Sequence, residues 1–122
     1  MFTVIRILGP DPTPNELAAE IGARVPGIHQ KIDRRGRLVI DLSTAADWSQ
    51  HLQEVRTRLE LFVDCIDDLS EVDAVVDASL DAPVGEGWVR AYRFDSEFIE
   101  FLNKHGIELE ITVYPPLEEQ EN

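Results

Sequence analysis

The chain of 122 residues carries 24 acidic and 11 basic side chains, a net charge of −13, and is 43% hydrophobic. That is the size and composition of one globular domain able to bury a core without a disulfide or structural metal, and the single cysteine, Cys65, excludes an intramolecular disulfide, a CxxC redox pair and a multi-thiolate zinc site. The charge is also one-sided. Residues 1–60 carry eight acids and eight bases, whereas 61–122 carry sixteen acids against Arg90, Arg93 and Lys104, the reverse of what binding to nucleic-acid phosphates requires.

Taken in chain order, "FTVIRIL" (2–8) reads as a buried strand and "GPDPTP" breaks it. A short helix follows, with Thr13 as N-cap, Pro14 at N1, Glu16 completing a capping box and Gly22 as the expected C-terminal stop. Residues 23–37, "ARVPGIHQKIDRRGR", read as a basic loop or irregular hairpin turning at Gly36, and "LVIDLS" (38–43) as a second strand. Ser43 or Thr44 is expected to open the longest helix, about twenty residues to near Asp68, because Trp48, Leu52, Val55, Leu59, Phe62 or Val63, and Ile66 recur at helical spacing.

From Asp73 to Asp81 the period changes to two. Ala74, Val76, Ala78 and Leu80 then share one face of a strand, and Asp73, Val75, Asp77, Ser79 and Asp81 share the other. The stretch 67–82 holds six carboxylates and no base; on a strand, acids four apart stand roughly 13 Å from each other and form an open row. Pro83, Gly85 and Gly87 mark a turn, with "WVRAYRF" (88–94) as its expected return strand. Asp95 or Ser96 caps a last helix with Phe98, Ile99 and Leu102 facing inward, ended by Gly106. "IELEITVY" (107–114) alternates again, with Ile107, Leu109, Ile111 and Val113 expected in the core and Glu108, Glu110, Thr112 and Tyr114 outside. Residues 116–122 read as a flexible acidic tail.

These elements predict a single α+β domain over 1–122. Its mainly antiparallel sheet of about four or five strands has helices packed on one face, ferredoxin-like or related, in the order β-α-β-α-β-β-α-β. No run approaches about 18 apolar residues and no cleavable leader is recognisable, so the expectation is a soluble cytoplasmic protein with no membrane role.

The chemistry-bearing residues do not form a familiar constellation. His29, His51 and His105 are dispersed and fall in no HxxxH or HExxH pattern, and the acids of 67–81 miss the ligand offsets of an EF-hand, so no metal site is assigned. There is no GxSxG elbow, P-loop or GxGxxG, Cys65 lies near the apolar stripe of the long helix, and carboxylates that alternate with core residues should be solvated. No catalytic residue and no cofactor is therefore expected. The remaining class is partner binding, with Asp73, Asp77, Asp81, Glu108 and Glu110 forming an acidic sheet face and Trp88 and Tyr92 among or beside them.

The turn after the first strand, "PNELAAEIG", "WSQHLQEVRTRLELF" and "RFDSEFIEFLNKHGIELEITVY" together cover about two thirds of the chain. In these it resembles the bacterial domain-of-unknown-function family 4279, with Thr112 standing where that family would place an acid. The resemblance implies a compact α+β domain without established activity or catalytic residues to carry over, and is compatible with small bacterial accessory proteins, immunity proteins included.

The leading expectation is a non-enzymatic acidic binding protein, an immunity or inhibitor protein that neutralises a basic toxin or nuclease. Two alternatives stand beside it. One is a ligand-binding domain or enzyme that holds an anionic metabolite with Arg24, His29, Lys31, Arg34, Arg35 and Arg37. The other is a self-associating structural protein in which the basic half of one copy meets the acidic half of another, which leaves monomer and homodimer open.

Overall fold

A computed structural model describes residues 1–10, 12–66, 72–82 and 91–115. The elements are β1 (Phe2–Leu8), α1 (Pro14–Arg24), β2 (Gln30–Ile32), β3 (Leu38–Ser43), α2 (Trp48–Asp64), β4 (Asp73–Asp81), α3 (Ser96–Lys104) and β5 (Glu108–Tyr114). The five strands form one sheet in the order β2-β3-β1-β4-β5. Neighbours are antiparallel except β4 and β5, which run parallel.

The sheet is thus mixed rather than mainly antiparallel. The elements run β-α-β-β-α-β-α-β rather than in the expected order β-α-β-α-β-β-α-β, because β2 arises within 23–37 and no strand forms over 91–94. The reason for the parallel pair is covalent. β4 and β5 are joined through α3, and a chain that returns through a crossover helix to the adjacent position lays its strand down parallel. The first six elements, β1 to β4 with α1 and α2, interleave two β-α-β units in which every neighbouring strand pair is antiparallel; α3 and β5 extend that sheet by one strand on the β4 side.

The core lies between one sheet face and the three helices. Ile5 and Ile7 of β1, Leu38, Ile40 and Leu42 of β3 and Ala74 and Val76 of β4 bury one side of the alternation. They meet Leu17 and Ile21 of α1, Val55, Leu59 and Phe62 of α2, and Phe98 and Leu102 of α3. The other sheet face carries no helix among the described residues, which leaves it free to hold polar side chains.

Several expected boundaries shift for local reasons. Gly22 does not stop α1, which runs to Arg24; Pro26 disfavours helical geometry at the preceding residue, and Val25 leaves it at φ −128° and ψ 76°. Gly22 instead leaves room for β2, since a Cβ there would stand 3.3 Å from Gln30 Nε2, the group that donates to the Ala18 carbonyl at 2.8 Å.

α2 opens neither at Ser43 nor at Thr44. Asp47 is its N-cap and accepts from the Gln50 N–H at 3.0 Å, while Ser43 ends β3 and donates to Glu54 Oε2 at 2.7 Å. The helix is 17 residues long and ends at Asp64 rather than near Asp68. His51, outside the expected apolar stripe, is fully buried, and the expected Leu52 is only partly so.

Of the segment 23–37, expected as a loop or irregular hairpin, residues 23 and 24 belong to α1, and Gln30–Ile32 pairs with β3 as a hairpin. Asp33 Oδ1 accepts from the N–H groups of Arg35 and Arg37, both at 2.9 Å, and Gly36 takes φ +78°. The expected return strand 88–94 is not a strand over its described part: Ala91 to Phe94 join no ladder, and Tyr92 and Phe94 set their rings edge-on against Trp48. The turn at 83–87, Trp88 and the tail 116–122 lie outside the described residues. In α3, Phe98 and Leu102 are buried as expected but Ile99 is 45% exposed. On β5 the expected core face holds only at its start, for Ile111 and Val113 are 49% and 60% exposed. None of the described helices is long and apolar enough to cross a membrane.

Candidate functional site

The helix-free face is built from the second set of each strand alternation. β1 contributes Phe2, Val4, Arg6 and Leu8, and β4 contributes Asp73, Val75, Asp77, Ser79 and Asp81. β5 contributes Glu108, Glu110, Thr112 and Tyr114. The parallel register sets Glu108 opposite Val75, Glu110 opposite Asp77 and Tyr114 opposite Asp81. The five expected acids therefore share one surface over two neighbouring strands.

Two carboxylates directly opposite on adjacent strands repel unless a cation lies between them. Arg6 supplies it: its guanidinium pairs with Glu110 and reaches Asp77 Oδ2 at 3.7 Å. The arginine is drawn into place by strand order, since β1 lies beside β4 and β4 beside β5, so a long side chain from β1 spans β4 to reach β5. Thr112 adds a long contact to Asp77 Oδ1 at 3.5 Å. At the far end of β4 the N-terminal ammonium bonds Asp81 Oδ2 at 2.9 Å. Asp73 and Glu108 are exposed, and among the described residues neither takes part in an ion pair.

Arg6 is the site residue that sequence reasoning misses, although a signal exists: it is the one charge inside an otherwise uncharged first strand. Its removal has a readable consequence. Arg6→Leu is expected to lose about 1 kcal/mol of stability in dilute buffer, a partly exposed pair being worth little more. Molar salt should shrink the loss by screening Asp77 from Glu110; urea titrations at two ionic strengths measure both.

Tyr92 lies elsewhere. Its hydroxyl donates to the Asp81 carbonyl at 3.2 Å and its ring packs on Trp48, so it belongs to an aromatic group of Trp48, His51, Phe94 and Phe98 next to the core. Trp88 is outside the described residues.

His51, which stacks on Trp48 at one side of that group, is fully buried between two partners. Its Nδ1–H donates to the Ala45 carbonyl at 2.9 Å, and its Nε2 accepts from the Thr3 hydroxyl at 2.7 Å. Burial holds its pKa below 6.5. Neither it nor Thr3 is open to a substrate, both being at most 3% exposed. Cys65 borders an apolar crevice with Ile21, Val25, Ile28, Leu61 and Phe62. Burial raises its pKa, which keeps it a neutral thiol.

The basic segment is largely spoken for. Arg24 pairs with Glu20 and donates to the Asp64 carbonyl, and Arg37 pairs with Asp33. Arg34 and Arg35 project from the hairpin turn, and His29 and Lys31 border a shallow basin with Gln30, Val39 and Asp41. Among the described residues no three His, Cys, Asp or Glu side chains gather as metal ligands. Between Asp77 and Glu110 the position a cation would take holds the Arg6 guanidinium.

Comparison with protein-family models, curated proteins and solved structures finds no match for this chain.

Proposed function

We propose that this chain is a non-enzymatic acidic binding protein whose helix-free sheet face meets a basic protein surface, in the manner of a bacterial immunity or inhibitor protein that caps a toxin or nuclease. The supporting observation is the juxtaposition of Asp73, Asp77, Glu108 and Glu110 on one face, in register across β4 and β5, with Arg6 as the only cation bound among the four within the described residues. Carboxylates displayed in this way on rigid strands concentrate a negative field. Such a field speeds encounter with an opposite surface by roughly 10- to 1,000-fold, and salt weakens it. The first six elements follow the ferredoxin-like order, a scaffold that carries many unrelated functions and contributes geometry rather than identity.

Asp73→Lys with Glu108→Lys is the informative variant, because neither residue is engaged in an internal ion pair among the described residues. A partner captured from the host and then purified is expected to bind wild type with an association rate that falls steeply with salt. The variant should bind at least about tenfold more slowly, with a flatter salt dependence. Equal rates and equal salt slopes for the two proteins would remove the acidic face from the interaction.

A further inference from the structure

The two edges of the sheet are unlike. β2 is a three-residue edge strand carrying Lys31, the short and charged form that discourages pairing with another chain. β5 is a seven-residue edge, "ELEITVY", with no Lys or Pro and an unbroken register against β4. Among the described residues its outer side meets no strand, so a row of backbone donors and acceptors faces outward.

The side chains of β5 sort by face in a way a folded core does not explain. Glu108 and Glu110 stand on the acidic side, while Ile111 and Val113, on the side that should be core, are 49% and 60% exposed. An added strand lying about 4.8 Å beyond β5 would cover those two apolar side chains on one face and meet the carboxylates on the other.

We infer that the outer edge of β5 is a docking edge for an extended segment of a basic partner, added as a sixth strand in which Lys or Arg alternates with Val, Ile or Leu. The inference rests on the acidic-face reading above and specifies how the partner is held: backbone hydrogen bonds to β5, cations toward Glu108 and Glu110, apolar side chains toward Ile111 and Val113. Charge complementarity selects this occupant over a second copy of the chain. Two β5 edges brought together would place four glutamates on one face, from two molecules of net charge −13 each.

Three capped seven-residue peptides of the same composition, four Lys and three Val, test it by calorimetry against the full chain. The first alternates Lys and Val, the second groups them in blocks, and the third is the alternating peptide with all its backbone nitrogens methylated, so that in neither phase can it donate to β5. The alternating peptide is expected to bind at least about tenfold more tightly than the other two, and Ile111→Lys with Val113→Lys should abolish that preference. Equal binding by all three, sensitive to salt, would overturn strand addition and leave the acidic face standing. No binding by any of them in dilute buffer would overturn both. A peptide-free dimer in light scattering that Ile111→Lys dissociates would assign the edge to a second copy and overturn the inference.

Discussion

Phe98→Ala should lower the unfolding free energy by about 3–5 kcal/mol, the range for a large aromatic removed from a core that only partly closes behind it. Phe98 is 1% exposed and, with Leu102, forms the fully buried side of α3. Its ring stacks on Phe94 with centroids 5.7 Å apart, and Phe94 meets Trp48 edge-on at 5.2 Å, so one side chain ties α3 to the start of α2. For a domain whose total stability is about 5–15 kcal/mol, such a loss is a large share. The urea midpoint should fall by more than about 1 M with an unchanged slope. Ile99→Ala is the control: at 45% exposure on the same helix it should cost less than about 0.5 kcal/mol. Comparable losses would mean that the buried side of α3 is misassigned. The effect also reaches the acidic face, because α3 is the crossover that brings Glu108 and Glu110 beside β4.

The contrast between Phe98 and Ile99 shows what periodicity can reveal. Spacing identified α3 and its caps, and the alternation in 73–81 and 107–114 identified two strands with acids on one side. Both are local properties of the chain. Ile99 was misplaced because a nine-residue helix has two turns and a half, too few to choose between neighbouring stripes. Ile111 and Val113 were misplaced for a different reason. Alternation marks two faces but does not say whether anything covers either one, and β5 is an edge strand among the described residues, with Ile111 and Val113 left exposed. The direction of β5 was likewise beyond local reading, since a parallel and an antiparallel strand share the same period and only the crossover through α3 separates them. Arg6 escaped because its role depends on strand order: nothing near residue 6 in sequence indicates that β4 and β5 lie beside it. The acidic face was therefore visible as composition and pattern, and its neutralising cation only as topology.

The largest pH effect near neutrality should come from His51. The neutral ring uses both nitrogens, Nδ1–H toward the Ala45 carbonyl and Nε2 as acceptor from Thr3. A second proton would land on Nε2 and oblige the Thr3 hydroxyl to reverse its bond, inside a site with no exposed surface. Burial is the main cause that lowers the folded-state pKa below 6.5; the N-terminal charge adds to it, while the Ala45 bond and Glu54 oppose it. The sign follows. Above 6.5 both folded and unfolded chains hold a neutral imidazole and stability does not vary with this group. As pH falls below 6.5 the unfolded chain takes up a proton that the folded one refuses, so stability falls, by at most about 1.4 kcal/mol per pH unit, until the folded-state pKa is passed. His51→Leu should remove that slope. At about pH 7.5 it should also cost about 2–4 kcal/mol, because the Thr3 hydroxyl and the Ala45 carbonyl lose a buried partner. Adding Thr3→Val removes one of the two orphaned groups and should recover about 1 kcal/mol of that loss. Trp48, stacked on His51 at 5.5 Å, provides the fluorescence for urea titrations at about pH 7.5 and about pH 5.5, above the range where most carboxylates titrate. A slope of equal size in wild type and in His51→Leu would place its origin in another group, and the buried Thr3–His51 pair would then be a packing feature without influence on the pH dependence of the fold.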